Sequence, residues 1–159
     1  MEKAKWTNLF INIAIFFVLV SFAAYIVIGI GIYSDKVDIN IVKFLLGATG
    51  TILLTIILYE LKKVVQLVIK KQVFSVENVK RFNIISYILY VLAVGFCFVN
   101  NEVSGMHIIA IGGIFSIKFE TMILLVLGSF STVIAYVFDE AIKFREESEK
   151  LKEESKYTI

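Results

Sequence analysis

The sequence predicts an all-α membrane protein: a bundle of four transmembrane helices, with a small extracytoplasmic β-hairpin between spans three and four and a cytoplasmic helical extension. Of its 159 residues, 58% are hydrophobic, and the mean hydropathy is +0.85. Four long segments, 11–31, 44–58, 84–99 and 122–138, contain no charged residue. A charge at the centre of a spanning helix costs about 2.5 to 3.5 kcal/mol, so such uncharged segments enter a bilayer with little opposition.

The predicted spans cover residues 7–33, 41–59, 82–99 and 121–138, followed by a helical tail at 139–159, and the whole chain 1–159 forms one membrane domain. A hydrocarbon core about 30 Å thick requires about 20 helical residues, which each segment approaches. The first span follows Lys3 and Lys5 as a signal peptide would. Its apolar run is longer than the usual core of about 7 to 15 residues, so we expect it to remain as a span. The chain has no proline, which favours continuous helices.

The orientation follows from the positive charges. Thirteen of the sixteen Lys and Arg residues lie in the N-terminal arm, the loop between spans two and three, and the tail, and the others are Lys36, Lys43 and Lys118. An even number of spans places both termini on one side, and the positive-inside rule assigns that side to the cytoplasm. We therefore predict a multi-pass plasma-membrane protein with cytoplasmic N and C termini.

The loop between spans three and four carries the pattern of a β-hairpin. Apolar and polar residues alternate from position 115 to position 120, and Gly112-Gly113 precedes them as a turn signal. A competing interpretation begins span four near Ile108. That start would place Lys118 and Glu120 inside the hydrocarbon.

On the cytoplasmic side, the helix of span two is predicted to continue from Glu60 to Lys71. Ser75 is a candidate N-cap for the helix that enters span three, and Glu77 would lie in its first turn. This loop is thus expected to form an αα-hairpin. The tail is rich in helix-forming residues but has too few apolar residues for a sustained coiled coil, so it is predicted to be a solvated extension of span four.

Two sets of residues are candidates for lipid contact and helix packing. The cations of the middle loop either bind anionic lipid or serve only to fix the topology; they are Lys62, Lys63, Lys70 and Lys71. Small and hydroxyl residues form ridges on spans two and four that serve packing within the bundle or formation of a homodimer; they are Gly47, Thr51, Thr55, Gly128 and Thr132.

The sequence offers no recognisable catalytic or metal site. It has no Gly-rich phosphate loop, no HExxH motif and no carboxylate pair within the spans. His107 is the single histidine and lacks metal-ligand spacing to Glu102 or Glu120, and Cys97 is the single cysteine. We therefore predict no catalytic residue, no cofactor and no metal, and hence no enzymatic activity.

Two motifs resemble a known family. The first is Phe-Ser-Val-Glu-Asn-Val-Lys-Arg at 74–81, and the second is Ala-Ile-Lys-Phe-Arg-Glu-Glu at 141–147, on a helix that ends in Tyr-Thr-Ile. Together they resemble the small four-span bacterial membrane proteins called domain of unknown function 2975. The resemblance extends over nearly the whole chain, although Val73 stands where the family often has proline. It implies no known activity. Members are often encoded beside a small helix-turn-helix regulator, which suggests a membrane partner for a transcription factor.

The leading hypothesis is a non-enzymatic bacterial inner-membrane protein that binds a small DNA-binding regulator, without contacting nucleic acid itself. The predicted docking residues are Phe74, Glu77, Asn78, Lys80, Arg81 and Arg145. The alternative is a small transport or immunity protein against a toxic peptide, for which the outer hairpin and the span surfaces matter more than the tail. A membrane enzyme is a third possibility, for which the sequence shows no catalytic groups.

Overall fold

The computed structural model describes residues 2–34, 41–98, 107–111 and 115–157. These residues form four helices: α1 (Glu2–Tyr33), α2 (Ile41–Ile69), α3 (Val76–Phe98) and α4 (Phe119–Tyr157). Each helix contains a segment long and apolar enough to cross a membrane. The predicted multi-pass membrane protein with four helical spans is therefore confirmed. Because a helix rises 1.5 Å per residue, the 39 residues of α4 extend about 58 Å, well beyond a hydrocarbon core of about 30 Å.

The helices pack in chain order. Helix α1 contacts α2, α2 contacts α3, and α3 makes its largest contact with α4. The buried core is small and centres on Ile57, Ile85 and Leu89, between α2 and α3. Most other large apolar side chains remain on the outer faces. This distribution suits a bundle in lipid, because hydrocarbon is as apolar as the side chains and does not force them inward.

Hydroxyl groups join α3 to α4. The Oγ of Ser86 lies 2.6 Å from the Oγ1 of Thr132, and the Tyr90 hydroxyl lies 3.3 Å from the same Thr132 oxygen. Ser131 donates a hydrogen bond of 2.9 Å to the backbone carbonyl of Phe82. In hydrocarbon, bonds of this kind between helices contribute about 0.6 kcal/mol each. They fix the register between α3 and α4.

The small residues predicted for packing lie at contacts inside the bundle. A Cβ atom at Gly128 would approach the Tyr90 ring to 2.8 Å, and one at Gly47 would approach the Tyr25 hydroxyl of α1 to 2.5 Å. Both glycines therefore allow an aromatic side chain of the neighbouring helix to pack directly against the backbone. The hydroxyls of Thr51 and Thr55 instead donate to carbonyls of their own helix, at 2.9 Å and 2.8 Å.

Two short strands connect α3 to α4. Strand β1 (His107–Ile111) pairs antiparallel with β2 (Phe115–Lys118), with an irregularity in register between His107 and Ile109. The predicted Gly112-Gly113 turn lies outside the described residues. Helix α4 begins at Phe119, directly after β2 and well past Ile108, and the Lys118 side chain is buried at this junction.

Helix α2 ends in a Schellman motif. The amide of Lys71 donates to the carbonyl of Val68 at 3.0 Å, and the amide of Gln72 donates to the carbonyl of Leu67 at 2.9 Å. Lys71 adopts the left-handed conformation that this motif requires, with φ of 62°. The chain thus reverses within six residues, 70–75, between α2 and α3, and the predicted helical hairpin is present.

Candidate functional site

A cleft lies where the α2–α3 loop meets the tail part of α4. It has a volume of about 520 Å³ and is lined by Lys71, Gln72, Val73, Phe74, Ser75, Val76, Glu77 and Arg145. The loop motif and the tail motif are far apart in sequence, yet they meet at this one place. The structure therefore brings together three of the predicted docking residues: Phe74, Glu77 and Arg145.

The loop owes its shape to Ser75 and Asn78. Ser75 caps α3, because its Oγ accepts a hydrogen bond of 3.3 Å from the amide of Asn78. The Asn78 side chain is fully buried, and its Nδ2 donates to the carbonyls of Val73 at 2.8 Å and Gln72 at 3.3 Å. Asn78 therefore cannot be a contact residue as predicted, because the loop folds over it. It holds the cleft wall in place.

Phe74 joins the loop to α4. Its ring packs edge-on against Phe138, with 5.2 Å between the ring centroids, and Phe138 makes a second edge-on contact with Phe82 of α3 at 5.6 Å. About half of the Phe74 side chain stays exposed, at 53%. The aromatic cluster thus fixes Phe74 on one side and leaves an apolar surface on the other.

Arg81 forms a partly buried ion pair beside the cleft. One of its terminal nitrogens lies 2.7 Å from an Oε of Glu60, and the two side chains are only 21% and 11% exposed. Lys63 contacts the other Glu60 oxygen at 3.4 Å, and Glu77 lies 4.0 Å from Arg81. The pair connects α2 to α3, so Arg81 supports the cleft rather than lining it. Lys80 is exposed but is not among the lining residues.

The charges of the cleft are mixed. Lys71 and Arg145 contribute positive charge, and Glu77, with 67% of its side chain exposed, contributes negative charge. The Nε of Arg145 donates to Glu149 at 2.9 Å, which holds the guanidinium along the tail. Apolar side chains stand between these charges. The cleft is therefore suited to a protein segment that offers an apolar side chain together with charged groups.

The four cations predicted to bind lipid fall into two groups. Lys70 and Lys71 are exposed at the end of α2. Lys62 is half-buried, and Lys63 is engaged with Glu60 and lies 4.0 Å above the ring of Tyr59. Of the exposed pair, Lys71 lines the cleft.

Metal-ligating side chains are dispersed through the part of the chain that the structure describes. No group of three or more His, Cys, Asp or Glu side chains within that part could hold a metal ion. Cys97 is buried in α3 with its thiol free. Glu102 lies outside the described residues.

Sequence reasoning missed two parts of this site. The sequence pattern predicts Phe138 only as the end of span four, although it anchors Phe74. The ion pair of Glu60 with Arg81 was also missed. A signal existed, because Glu60 directly follows predicted span two and Arg81 directly precedes predicted span three, so the two residues stand at the same end of consecutive antiparallel spans and at a similar depth.

One protein family matches the chain over both the loop and the tail that form the cleft. The model of a family described as protein of unknown function (DUF2975) matches residues 5–159. The chain belongs to this family. The match includes the loop and the tail, so the cleft lies wholly within the family's extent, and the family description assigns no activity to it. No curated protein and no solved structure matches the chain.

Proposed function

We propose that this DUF2975 protein is a non-enzymatic protein of the bacterial plasma membrane that binds a small helix-turn-helix transcriptional regulator at its cytoplasmic cleft. Both termini and the α2–α3 loop face the cytoplasm in this proposal, and the β1–β2 pair faces outward. The observation that carries it is the convergence of the loop motif and the tail motif on one cleft.

The distribution of charge supports the orientation. The loop that forms the cleft and the tail that borders it lie on the side that contains thirteen of the sixteen Lys and Arg residues. Positively charged segments next to spans are retained in the cytoplasm. A soluble cytoplasmic protein would therefore reach the cleft directly.

The chemistry of the cleft supports protein binding. Partly exposed aromatic side chains supply much of the affinity in protein interfaces, and surrounding charges select the partner and its register. Phe74 is positioned for the first role, and Lys71, Glu77 and Arg145 for the second. A regulator held at the bilayer is withdrawn from DNA by mass action, so its activity would depend on its affinity for the cleft.

Affinity purification tests the proposal. The chain would carry an N-terminal tag in its native host, and helix-turn-helix proteins that co-purify from detergent-solubilised membranes would be quantified by mass spectrometry. We expect Phe74→Ala and Arg145→Ala to lower recovery of the regulator about tenfold each, the effect of losing about 1.4 kcal/mol of binding energy. Lys80→Ala is the matched control, because Lys80 is exposed in the same motif but does not line the cleft.

Two results would contradict this function. One is unchanged recovery with both cleft variants when their thermal stability in detergent equals that of the wild type. The other is an equal loss with Lys80→Ala. Either result would show that recovery of the regulator does not depend on the cleft.

A further inference from the structure

The outer face of α4 carries a regular apolar row. Helix α4 packs against α3 through a face that contains Gly128, Ser131 and Ala135, all buried. On the opposite face, large apolar side chains recur every seven residues with exposures of 63%, 52%, 69% and 66%; they are Phe130, Val137, Phe144 and Leu151. We name this row, with the residues between its members, the α4 seam.

Contact with lipid explains the exposed apolar residues in only part of the α4 seam. Helix α4 has 39 residues, whereas about 20 cross the hydrocarbon, and charged residues occupy most positions from Asp139 onward. Phe144 and Leu151 therefore project from a helix surrounded by water. Large apolar side chains at heptad spacing in water are typical of a helix that packs against another helix.

The residues beside the row have the pattern of a coiled coil. With the four apolar residues at heptad position d, position a holds Ile134, Ala141, Ser148 and Ser155. Between residues 139 and 157, every g position is acidic and every e position is basic. The g residues are Glu140, Glu147 and Glu154, and the e residues are Arg145 and Lys152. Charges at e and g set the partner and the orientation of coiled-coil helices.

We propose that a second copy of this chain packs along the α4 seam, forming a parallel homodimer that continues from the bilayer into the tail. Two copies inserted with the same topology have parallel α4 helices related by a two-fold axis. In a parallel pair, a g residue faces the e residue of the following heptad in the other helix. Glu147 then faces Lys152 of the second copy.

The same charges disfavour other arrangements. In an antiparallel pair, g faces g and e faces e, which would oppose Glu147 with another glutamate and Lys152 with another lysine. The tail by itself supplies only two apolar d residues, which is little for a coiled coil. Because α4 is one continuous helix, Phe130 and Val137 add two further layers inside the membrane. Serine at two a positions limits the strength of the dimer.

Cysteine cross-linking tests the α4 seam directly. In native membranes of a Cys97→Ser background, Leu151→Cys is compared with Glu153→Cys, which lies on the opposite side of the same helical turn. Upon oxidation, we expect Leu151→Cys to form at least tenfold more covalent dimer than Glu153→Cys. Equal yields from the two positions, or adducts of Leu151→Cys with other proteins in place of dimers, would overturn the proposal.

A charge exchange tests the pairing. Glu147→Lys and Lys152→Glu are made singly and together, and energy transfer between N-terminally labelled copies is measured in liposomes. We expect each single variant to lower the dimer fraction at least threefold and the double variant to restore it. Residues five positions apart do not face each other on one helix, so restoration reports contact between copies. Loss in the double variant equal to the sum of the single losses would refute the parallel pairing, as would the absence of transfer in the wild type.

Discussion

Removal of Glu60 tests the internal connection that positions the cleft. The carboxylate contacts Arg81 at 2.7 Å and Lys63 at 3.4 Å, and its side chain is only 11% exposed. Glu60→Gln retains the shape but removes the charge, so Arg81 keeps only its 4.0 Å contact with Glu77. The Nε of Arg81 is already buried without a hydrogen-bond partner among the described residues. The partly buried guanidinium of Arg81 would then lack the negative charge that mainly offsets the cost of its burial.

The expected loss of stability follows from this geometry. Loss of one partner from a fully buried ion pair costs about 3 to 5 kcal/mol, and the partial exposure here places Glu60→Gln near the lower end, at about 3 kcal/mol. Arg81→Gln leaves Glu60 with Lys63, so we expect a smaller cost of about 2 kcal/mol. The double variant removes both charges and should cost about 3 kcal/mol, which corresponds to a coupling energy of about 2 kcal/mol.

The assay is denaturation of the purified protein in mixed micelles, with loss of helix followed by circular dichroism as the SDS fraction rises. All four members of the cycle are measured under one condition. Additive costs, with a coupling energy within about 0.3 kcal/mol of zero, would refute the inference that Glu60 and Arg81 compensate each other.

Three further substitutions test local features with the same assay. Lys71→Gly should stabilise the protein by about 1 kcal/mol, because glycine adopts the left-handed conformation without the cost that Lys71 bears, and a loss of stability would contradict the Schellman ending of α2. Gly128→Ala should cost about 1 to 3 kcal/mol, because its Cβ would meet the Tyr90 ring at 2.8 Å. Its control, Gly95→Ala, has open space around the new atom and should be neutral or slightly stabilising; equal effects would contradict the packing. Asn78→Ala should cost about 2 kcal/mol through two lost hydrogen bonds, and an unchanged midpoint would show that the loop does not depend on them.

Much of the fold was accessible from the sequence because lipid imposes simple rules. Uncharged segments of the right length predicted the four helices, and in the structure α2 ends later and α3 begins earlier than the predicted spans 41–59 and 82–99, where no breaker interrupts them. The Ser75 cap was also predictable, since a hydroxyl residue stands directly before an apolar helix with Glu77 in its first turn.

The site was predicted less completely because side-chain burial in a loop depends on how the loop folds. Asn78 lies among polar residues and resembles a surface position, yet the turn after Lys71 covers it. Arg81 likewise resembles a free cation until α2 places Glu60 beside it. Periodicity gives the face of a helix, but it does not give the path of the chain that returns over that face.

The predicted helical tail is continuous with span four in the structure. Counted from Asp139 onward, its apolar residues are too sparse for a coiled coil, which favours a solvated helix. The uninterrupted course of α4 from Phe119 to Tyr157 adds the apolar row of the span to that of the tail. In the proposed dimer, the heptad repeat therefore begins within predicted span four and not at Asp139.

The side of the membrane that each segment faces is the most direct test of the whole account. In a Cys97→Ser background, Ser155→Cys in the tail and Glu102→Cys in the segment that precedes β1 would be treated in intact cells with a maleimide that cannot cross the membrane. Glu102→Cys should be labelled at once, and Ser155→Cys only after permeabilisation, because the proposed topology, based on four spans and the positive-inside rule, has the tail and the cleft in the cytoplasm. Labelling of Ser155→Cys from outside, or equal labelling of both positions in intact cells, would contradict the topology and with it the cytoplasmic cleft.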